Sequence, residues 1–291
     1  MDILVNGVLL GLGYCLIAVG MALILGVAKV FDLTYAIYYT IAPYAALTLI
    51  RTLGPITPLW LVFIISVGVS VAFALVIHAF LILPIQKQHL VVFVSTIAVG
   101  MVIQELLIFK AGSEPIHLPM ILNGSTNIFG VWVTNQKLLV GGVTGSVLAT
   151  LWVFLSKTRL GLAIRVTAEQ PEAMKLAGGN IKMIFLFTAI LAAVVASIGG
   201  LLLSPIYPPH PYEWLDLLII AFAVMVLGGL GNIWACLPAA LILGISEVAV
   251  VIYVPFGGLI KRTVGLIIIF IILVFRPTGL FGVKGWEESQ E

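Results

Sequence analysis

Asp32, His78, Glu105 and Glu247, with Gln104 beside Glu105, fall within or against stretches of a 291-residue chain that are otherwise apolar enough to enter a membrane. A carboxylate at the centre of a membrane helix costs about 2.5 to 3.5 kcal/mol on insertion scales, so each such group needs a reason to be there. It can line a solute or proton route, fix a gate, or bond a neighbouring helix, and residue type alone leaves these open. Glu247 lies well inside its apolar run and is the foremost pathway candidate. His78 lies near the end of its run and reads as structural. No Ser-His-Asp, Cys-His or paired-carboxylate pattern points to catalysis. Cys15 and Cys236 sit in apolar runs without metal-ligand spacing, so they read as small buried hydrophobes, and no metal site is expected.

A second set of polar residues is concentrated in one island, from Lys157 to Lys182. It holds Lys157, Arg159, Arg165, Lys175 and Lys182, five of the chain's 14 basic residues. Lys/Arg enrichment in a short loop between apolar spans marks the cytoplasmic side. Within the island Pro171 suits a first helical position, and Gly178-Gly179-Asn180 is a stop signal. The resulting helix of about two turns is too short to be stable alone in water. It places Ala173, Leu176 and Ala177 on one face and Glu172 and Lys175 on another. Docking onto a partner explains such a helix; lying on its own domain or on lipid headgroups explains it equally well from spacing alone.

The elements that must position these residues are membrane helices. Hydrophobic residues make up 62% of the chain and charged residues 9%, with a mean hydropathy of +1.24, far from the roughly one-quarter charged content of soluble domains. A formal net charge of +2 gives nucleic-acid binding no support. With about 20 apolar residues per crossing, spans are expected near 3–28, 35–50, 59–83, 90–110, 137–156, 183–204, 215–231, 234–254 and 258–275, eight or nine in all, in one all-α polytopic domain covering 1–291. The first span lacks a basic leading region and reads as retained rather than cleaved. Small residues recur at four-residue spacing (Gly7 and Gly11; Ala18, Ala22 and Gly26; Ala192, Ala196 and Gly200), the pattern that lets helix backbones approach closely in lipid. Lys261 and Arg262 fall on the outer side, against the charge bias, and are expected to snorkel. The outer turn from Pro205 to Asp216, with Tyr207, Tyr212 and Trp214, reads as an interfacial aromatic belt, or as a stiff platform for a docking protein.

Four ordered segments resemble the branched-chain amino-acid permease family of ABC importers. Glu172-Ala173-Met174 followed by Gly178 is similar to the EAA-x-x-x-G cytoplasmic signature, with Arg165, Ala173, Gly178 and Asn180 matching the family's coupling segment. The opening run with Asn6, Gly7, Gly11, Tyr14, Gly20 and Gly26 is similar to its first span. LGGLGNIWACLPAALILG resembles its GGLGS region, and RPTGLFG its ending. The departure comes after the first span, where N-x-A-H-G is usual and this chain has Asp32-Leu33-Thr34-Tyr35-Ala36. Relatives in the family carry branched-chain amino acids, urea, short amides or sugars.

The resemblance implies a permease subunit of a bacterial-type inner-membrane ABC importer, taking up a small polar solute such as a branched-chain or other amino acid. It implies ATP hydrolysis, with Mg, in two separate ATP-binding cassette subunits, no cofactor in this chain, a second permease subunit, and a periplasmic or lipid-anchored solute-binding protein. Arg165, Glu172, Ala173, Leu176, Ala177 and Gly178 would then form the ATPase-coupling segment, with the helix at 171–178. Asp32, Tyr35, Gln104, Glu105 and Glu247 are the candidate pathway residues. The sequence has no Gly-Lys dipeptide and hence no phosphate-cradling P-loop of its own, so the chain is not expected to be an enzyme. The competing class is a secondary transporter or facilitator that works without an ATPase and uses Glu105, Glu247 or Asp32 as proton relays. The charge distribution predicts an outer N-terminus, an inner 157–182 loop and an inner C-terminus. A cysteine placed at position 169 should therefore resist membrane-impermeant thiol reagents applied outside intact cells, and its labelling there would overturn the topology.

Overall fold

A computed structural model describes residues 2–54, 57–128, 130–229, 232–254, 257–276 and 279–280. Among these residues the long helices are α1 (Asp2–Ala28), α2 (Tyr35–Leu53), α3 (Leu59–Ile85), α4 (His89–Ala111), α5 (Asn135–Lys157), α8 (Ile181–Leu203), α9 (Glu213–Gly228), α10 (Cys236–Tyr253) and α11 (Gly257–Phe275). Two short helices, α6 (Arg159–Glu169) and α7 (Pro171–Leu176), fill the polar island. The nine long helices follow the nine expected spans closely. Six of the described stretches are long and apolar enough to cross a membrane: α1, α3, α4, α5, α8, and α10 extended back to Ile233. The shortfall in α2 has a physical reason: its residues from Tyr35 to Tyr44 are buried against other helices, so they need not match lipid.

The first helix is the axis of the bundle. It is apolar all round, as a helix enclosed by others must be, and is almost completely buried from Gly11 to Ala28. Helices α2, α5, α6, α8, α9 and α10 all pack on it. Its tightest seam is with α10: a Cβ on Gly11 would stand 2.8 Å from the Ala240 carbonyl oxygen, and one on Gly244 would stand 2.6 Å from that of Gly7. In lipid, where the surrounding chains are as apolar as the helices, such close backbone contact supplies the association energy. The stripe in α8 works the same way. Pro43 has no N–H to offer the Tyr39 carbonyl one turn back, and Gly200 packs directly against that carbonyl, where no larger residue fits.

Helix α3 widens into a π-helical segment at Ile77–Ile82, where the Leu83 N–H donates to the carbonyl of His78. Pro84 follows at once and cannot donate to the turn before it, a sufficient cause for the local change of pitch. The two ends of the bundle are cleanly separated. At one end Gln86 Nε2 reaches the Ala28 carbonyl at 3.4 Å, and Ala168 of α6 adjoins Gly26. At the other, the Ile116 N–H donates to the Pro209 carbonyl at 3.0 Å, and Lys137 Nζ donates to Asn6 Oδ1 at 3.1 Å. This is the division that alternating spans require.

Three features depart from expectation. The outer segment contains an antiparallel hairpin, β1 (Ser125–Ile128) and β2 (Val131–Thr134), with Ser125 opposite Thr134, in a fold read as all-α. The polar island contains two helices rather than one: α6 buries Gly161, Ile164 and Thr167 against the bundle and is capped by the Thr158 hydroxyl, which accepts from the Gly161 N–H at 3.0 Å. Trp214 is fully buried rather than interfacial, while Tyr207 and Tyr212 of the same turn are exposed. Leu230 and Gly231, most of the RPTGLFG ending, and the side chains of Lys261 and Arg262 lie outside the described residues.

The α1–α10 seam makes a direct test. Gly244→Val should cost about 1 to 3 kcal/mol, the usual penalty for overpacking, and lower the thermal unfolding midpoint of the detergent-purified protein, whereas Gly142→Val, at a position with open space around it, should not. Equal midpoints for the two variants would contradict the seam.

Candidate functional site: a short exposed helix and three polar clusters

Helix α7 is built as a short projecting element. Pro171 occupies its first turn, and after Leu176 the chain turns back: the Gly178 and Gly179 N–H groups donate to the Lys175 and Met174 carbonyls at 3.0 and 2.9 Å. Gly178 has φ +80°, a left-handed conformation that favours glycine. Met174 is the side chain that turns inward to pack on the bundle. Ala173, Leu176 and Ala177 face outward, and Leu176 is 90% exposed. This short helix thus holds its largest aliphatic side chain away from its own domain. Glu172 and Lys175 are likewise exposed. Arg165 is not part of that face. Its Nη2 reaches the Ser156 carbonyl at 3.4 Å, so it secures the corner between α5 and α6.

The five candidate pathway residues do not converge; they belong to three clusters. At the inner end of α1, Asp32 Oδ1 accepts from the Thr34 N–H at 2.9 Å and from the Thr34 hydroxyl, which lies 3.0 Å from the Tyr38 hydroxyl. Asp32 Oδ2 lies 3.1 Å from His78 Nε2, with both side chains wholly buried. This contact is an ion-pair approach rather than an aligned hydrogen bond. His78 Nδ1 meets the Ala74 carbonyl at 2.8 Å. The π-helical segment therefore carries the histidine to the aspartate. Tyr35 lies beside this cluster, edge-on to Tyr38, with its hydroxyl packed against Gly20 of α1. The stretch that departs from the family pattern thus forms an internal cluster.

Near the outer end, Trp214 Nε1 donates to Gln104 Oε1 at 2.8 Å, and Gln104 Nε2 approaches Glu105 Oε1 at 3.3 Å. The Trp214 ring lies against Gly100, where a Cβ would stand 2.7 Å away. Glu105 itself is exposed on the outer face of α4, among Met101, Val102, Leu106 and Phe109. In the third cluster the Tyr14 hydroxyl donates to Glu247 Oε2 at 2.8 Å, joining α1 to α10 just beside their glycine seam. Glu247 is 2% exposed. In the outer turn, burial and then the Glu247 carboxylate push the Tyr207 hydroxyl above its ordinary pKa. At the inner end, burial lowers that of Lys29.

His78, a candidate read from its position as structural, is the partner of Asp32, whereas Tyr14 and Trp214 carry no signal in the sequence that pairs them with Glu247 and Gln104 on other helices. Among the described residues no group of three or more His, Cys, Asp or Glu side chains is placed to hold a metal ion.

Residues 3–276 match the family described as branched-chain amino acid transport system / permease component. The chain belongs to this permease family. Its relatives include the high-affinity branched-chain amino acid transport system permease protein BraD of Pseudomonas aeruginosa, 30% identical over 292 residues covering 96% of this chain and 94% of the relative. LivH of Salmonella typhimurium is 28% identical over 95% of this chain and 94% of its own length. The probable LivH of Methanocaldococcus jannaschii is 28% identical over 94% and 89%. A solved structure, PsaBC from Streptococcus pneumoniae in complex with Fab, aligns with 100% of this chain and 96% of that one, at a TM-score of 0.49 and 13% identity, too remote to bear on fold or function. The chain is accordingly a polytopic membrane permease and one component of a transport system.

The buried pair at the inner end predicts a sharp asymmetry. Asp32→Asn leaves the buried His78 Nε2 facing no carboxylate, and a buried polar group that loses its partner costs about 1 to 3 kcal/mol. The double variant Asp32→Asn/His78→Asn should recover most of that loss in thermal unfolding of the purified permease. Simple additivity of the two single losses would show the residues to be independent.

Proposed function

We propose that this permease is the membrane subunit of an ATP-driven importer and that it takes up an aliphatic amino acid. The supporting observation is the outward apolar face of α7. Ala173, Leu176 and Ala177 form a compact patch on the cytoplasmic side by the charge bias, while Met174 on the other side of the helix packs on its own bundle. Such a patch suits a groove on a cytoplasmic ATPase subunit. Two ATP-binding cassette subunits, with their ATP and Mg, would supply the energy, since this chain carries no P-loop. A second permease subunit, a periplasmic or lipid-anchored solute-binding protein and surrounding lipid complete the assembly, in a bacterial-type inner membrane.

Mechanically, α6 and α7 would act as one lever. Helix α6 is seated on the bundle through Ile164 and adjoins Gly26 of α1 through Ala168, and α7 follows it after Gln170. Displacement of α7 by closing ATPase subunits would thus reach the most enclosed helix of the bundle through a short, packed route. The amino acid is taken from the named cargo of the relatives and from the largely aliphatic character of the bundle. The proton-relay alternative has less support, because Asp32, Glu105 and Glu247 lie in three clusters with separate partners.

Leu176→Asp should abolish ATP-dependent amino-acid uptake in reconstituted vesicles, or release the ATPase subunit, while leaving membrane insertion and thermal stability intact, because a charge would enter a desolvated contact without touching the bundle. Wild-type uptake by this variant would remove the face from the coupling contact.

A further inference from the structure

A cavity of about 310 Å³ lies at the outer ends of α1, α5, α8 and α10, apart from all five candidate pathway residues. Its polar lining is Asn6, Lys137 and Tyr207; its walls are aliphatic, with Leu10, Val140, Leu203 and Val248 among them. Lys137 is the cation. Its ammonium donates to the Asn6 side-chain oxygen at 3.1 Å, and it makes no salt bridge among the described residues. An ammonium has three donors, so one neutral amide oxygen leaves capacity for an anion.

Nothing local favours a lysine here. It lies in the first turn of α5, where the helix dipole disfavours positive charge, and at the outer end of a span, against the charge bias of membrane proteins. The Asn6 amide is held in turn, its Nδ2 donating to the Asp2 carbonyl at 3.2 Å, so the oxygen that orients Lys137 is itself fixed. The volume is at the lower end of the ~300 to 1,000 Å³ of small-molecule sites, which suits one compact solute and not a two-chain lipid.

We propose that this cavity binds a small aliphatic carboxylate, the class that includes branched aliphatic amino acids, with the Lys137 ammonium on the carboxylate and the aliphatic walls around the side chain. It rests on the importer reading above and makes the cavity an entry site on the side from which a solute arrives. Tyr207 is the remaining polar group at its rim, next to the Glu247 cluster, and would face the solute's amino end. Since Cys15 and Cys236 are buried, an introduced cysteine can report occupancy.

The test uses the complete transporter in nanodiscs of phosphatidylcholine, with Ile206→Cys, or Ile252→Cys in case the first variant misfolds, as a lining thiol whose alkylation rate is measured. L-leucine and 4-methylpentanoate should slow alkylation, and L-leucinamide, which lacks the carboxylate, should not. Lys137→Met should raise the protecting concentration about tenfold or more, the scale of one lost charge-assisted hydrogen bond, and Lys137→Arg should restore it. Equal protection by leucinamide, or unchanged protection in Lys137→Met, overturns the site. Protection without solute, appearing only in phosphatidylglycerol nanodiscs and lost in Lys137→Met, assigns the cavity to a lipid phosphate and overturns the solute. ATP-driven leucine uptake by the same complex reconstituted into closed phosphatidylcholine vesicles separates the two levels. Uptake without protection removes this site alone, whereas protection without uptake removes the importer reading.

Discussion

The structure depends on the absence of water around its backbone. In a bilayer a polar group that finds no partner inside the protein costs several kcal/mol, and apolar side chains gain nothing by leaving lipid for one another. Close backbone packing and internal pairing of polar groups are what remain to hold helices together. The α1–α10 seam at Gly7, Gly11 and Gly244 is the clearest case of the first. The Tyr14–Glu247 bond directly beside it is a case of the second. Replacing the glycines with larger residues would separate the helices that make this bond.

The same constraint accounts for where polar residues sit. Asp32 meets His78 only because α3 changes pitch ahead of Pro84, and Gln104 meets Trp214 only because Gly100 lets the indole lie against α4. In these two cases a neighbouring backbone feature positions the polar group as much as its direct partner does. Two surfaces are left outside this economy. One is the exposed face of α7 around Leu176; the other is the cavity at the opposite end, where among the described residues the Lys137 cation meets an amide oxygen and no carboxylate. They lie at opposite ends of the molecule and both adjoin α1, through α6 on the inside and through Asn6, Leu9 and Leu10 on the outside.

Much of this was legible in the letters. The nine long helices follow the apolar runs, six of them of full membrane length among the described residues, and the tight seams follow glycine and alanine at four-residue spacing. The stop of α7 follows from Gly178-Gly179-Asn180, and the structure adds the positive φ of Gly178. Pairings between helices were not legible. Nothing near Glu247 names Tyr14, 233 residues away in sequence, and nothing near Asp32 names a histidine on α3. Trp214 illustrates the limit: an aromatic in a proline-rich outer turn reads as an interfacial anchor, yet it is buried because Gln104 accepts its N–H. Helix α6 was hidden by its charges, since Arg159 and Arg165 mark a loop by composition while Gly161, Ile164 and Thr167 supply the buried face. The Lys137 cavity needed four helices to be placed before its lining could be seen.

The central claim is that α7 is the contact through which an ATPase subunit moves the bundle. Site-specific cross-linking from position 176 in the intact transporter tests it most directly. A photoreactive residue at 176 should capture the ATPase subunit, in a yield that changes with nucleotide. The same group at 174, whose native side chain packs on the permease itself, should capture chiefly the permease. Capture of lipid or of the permease alone from position 176, with the ATPase subunit present and active, would contradict the account.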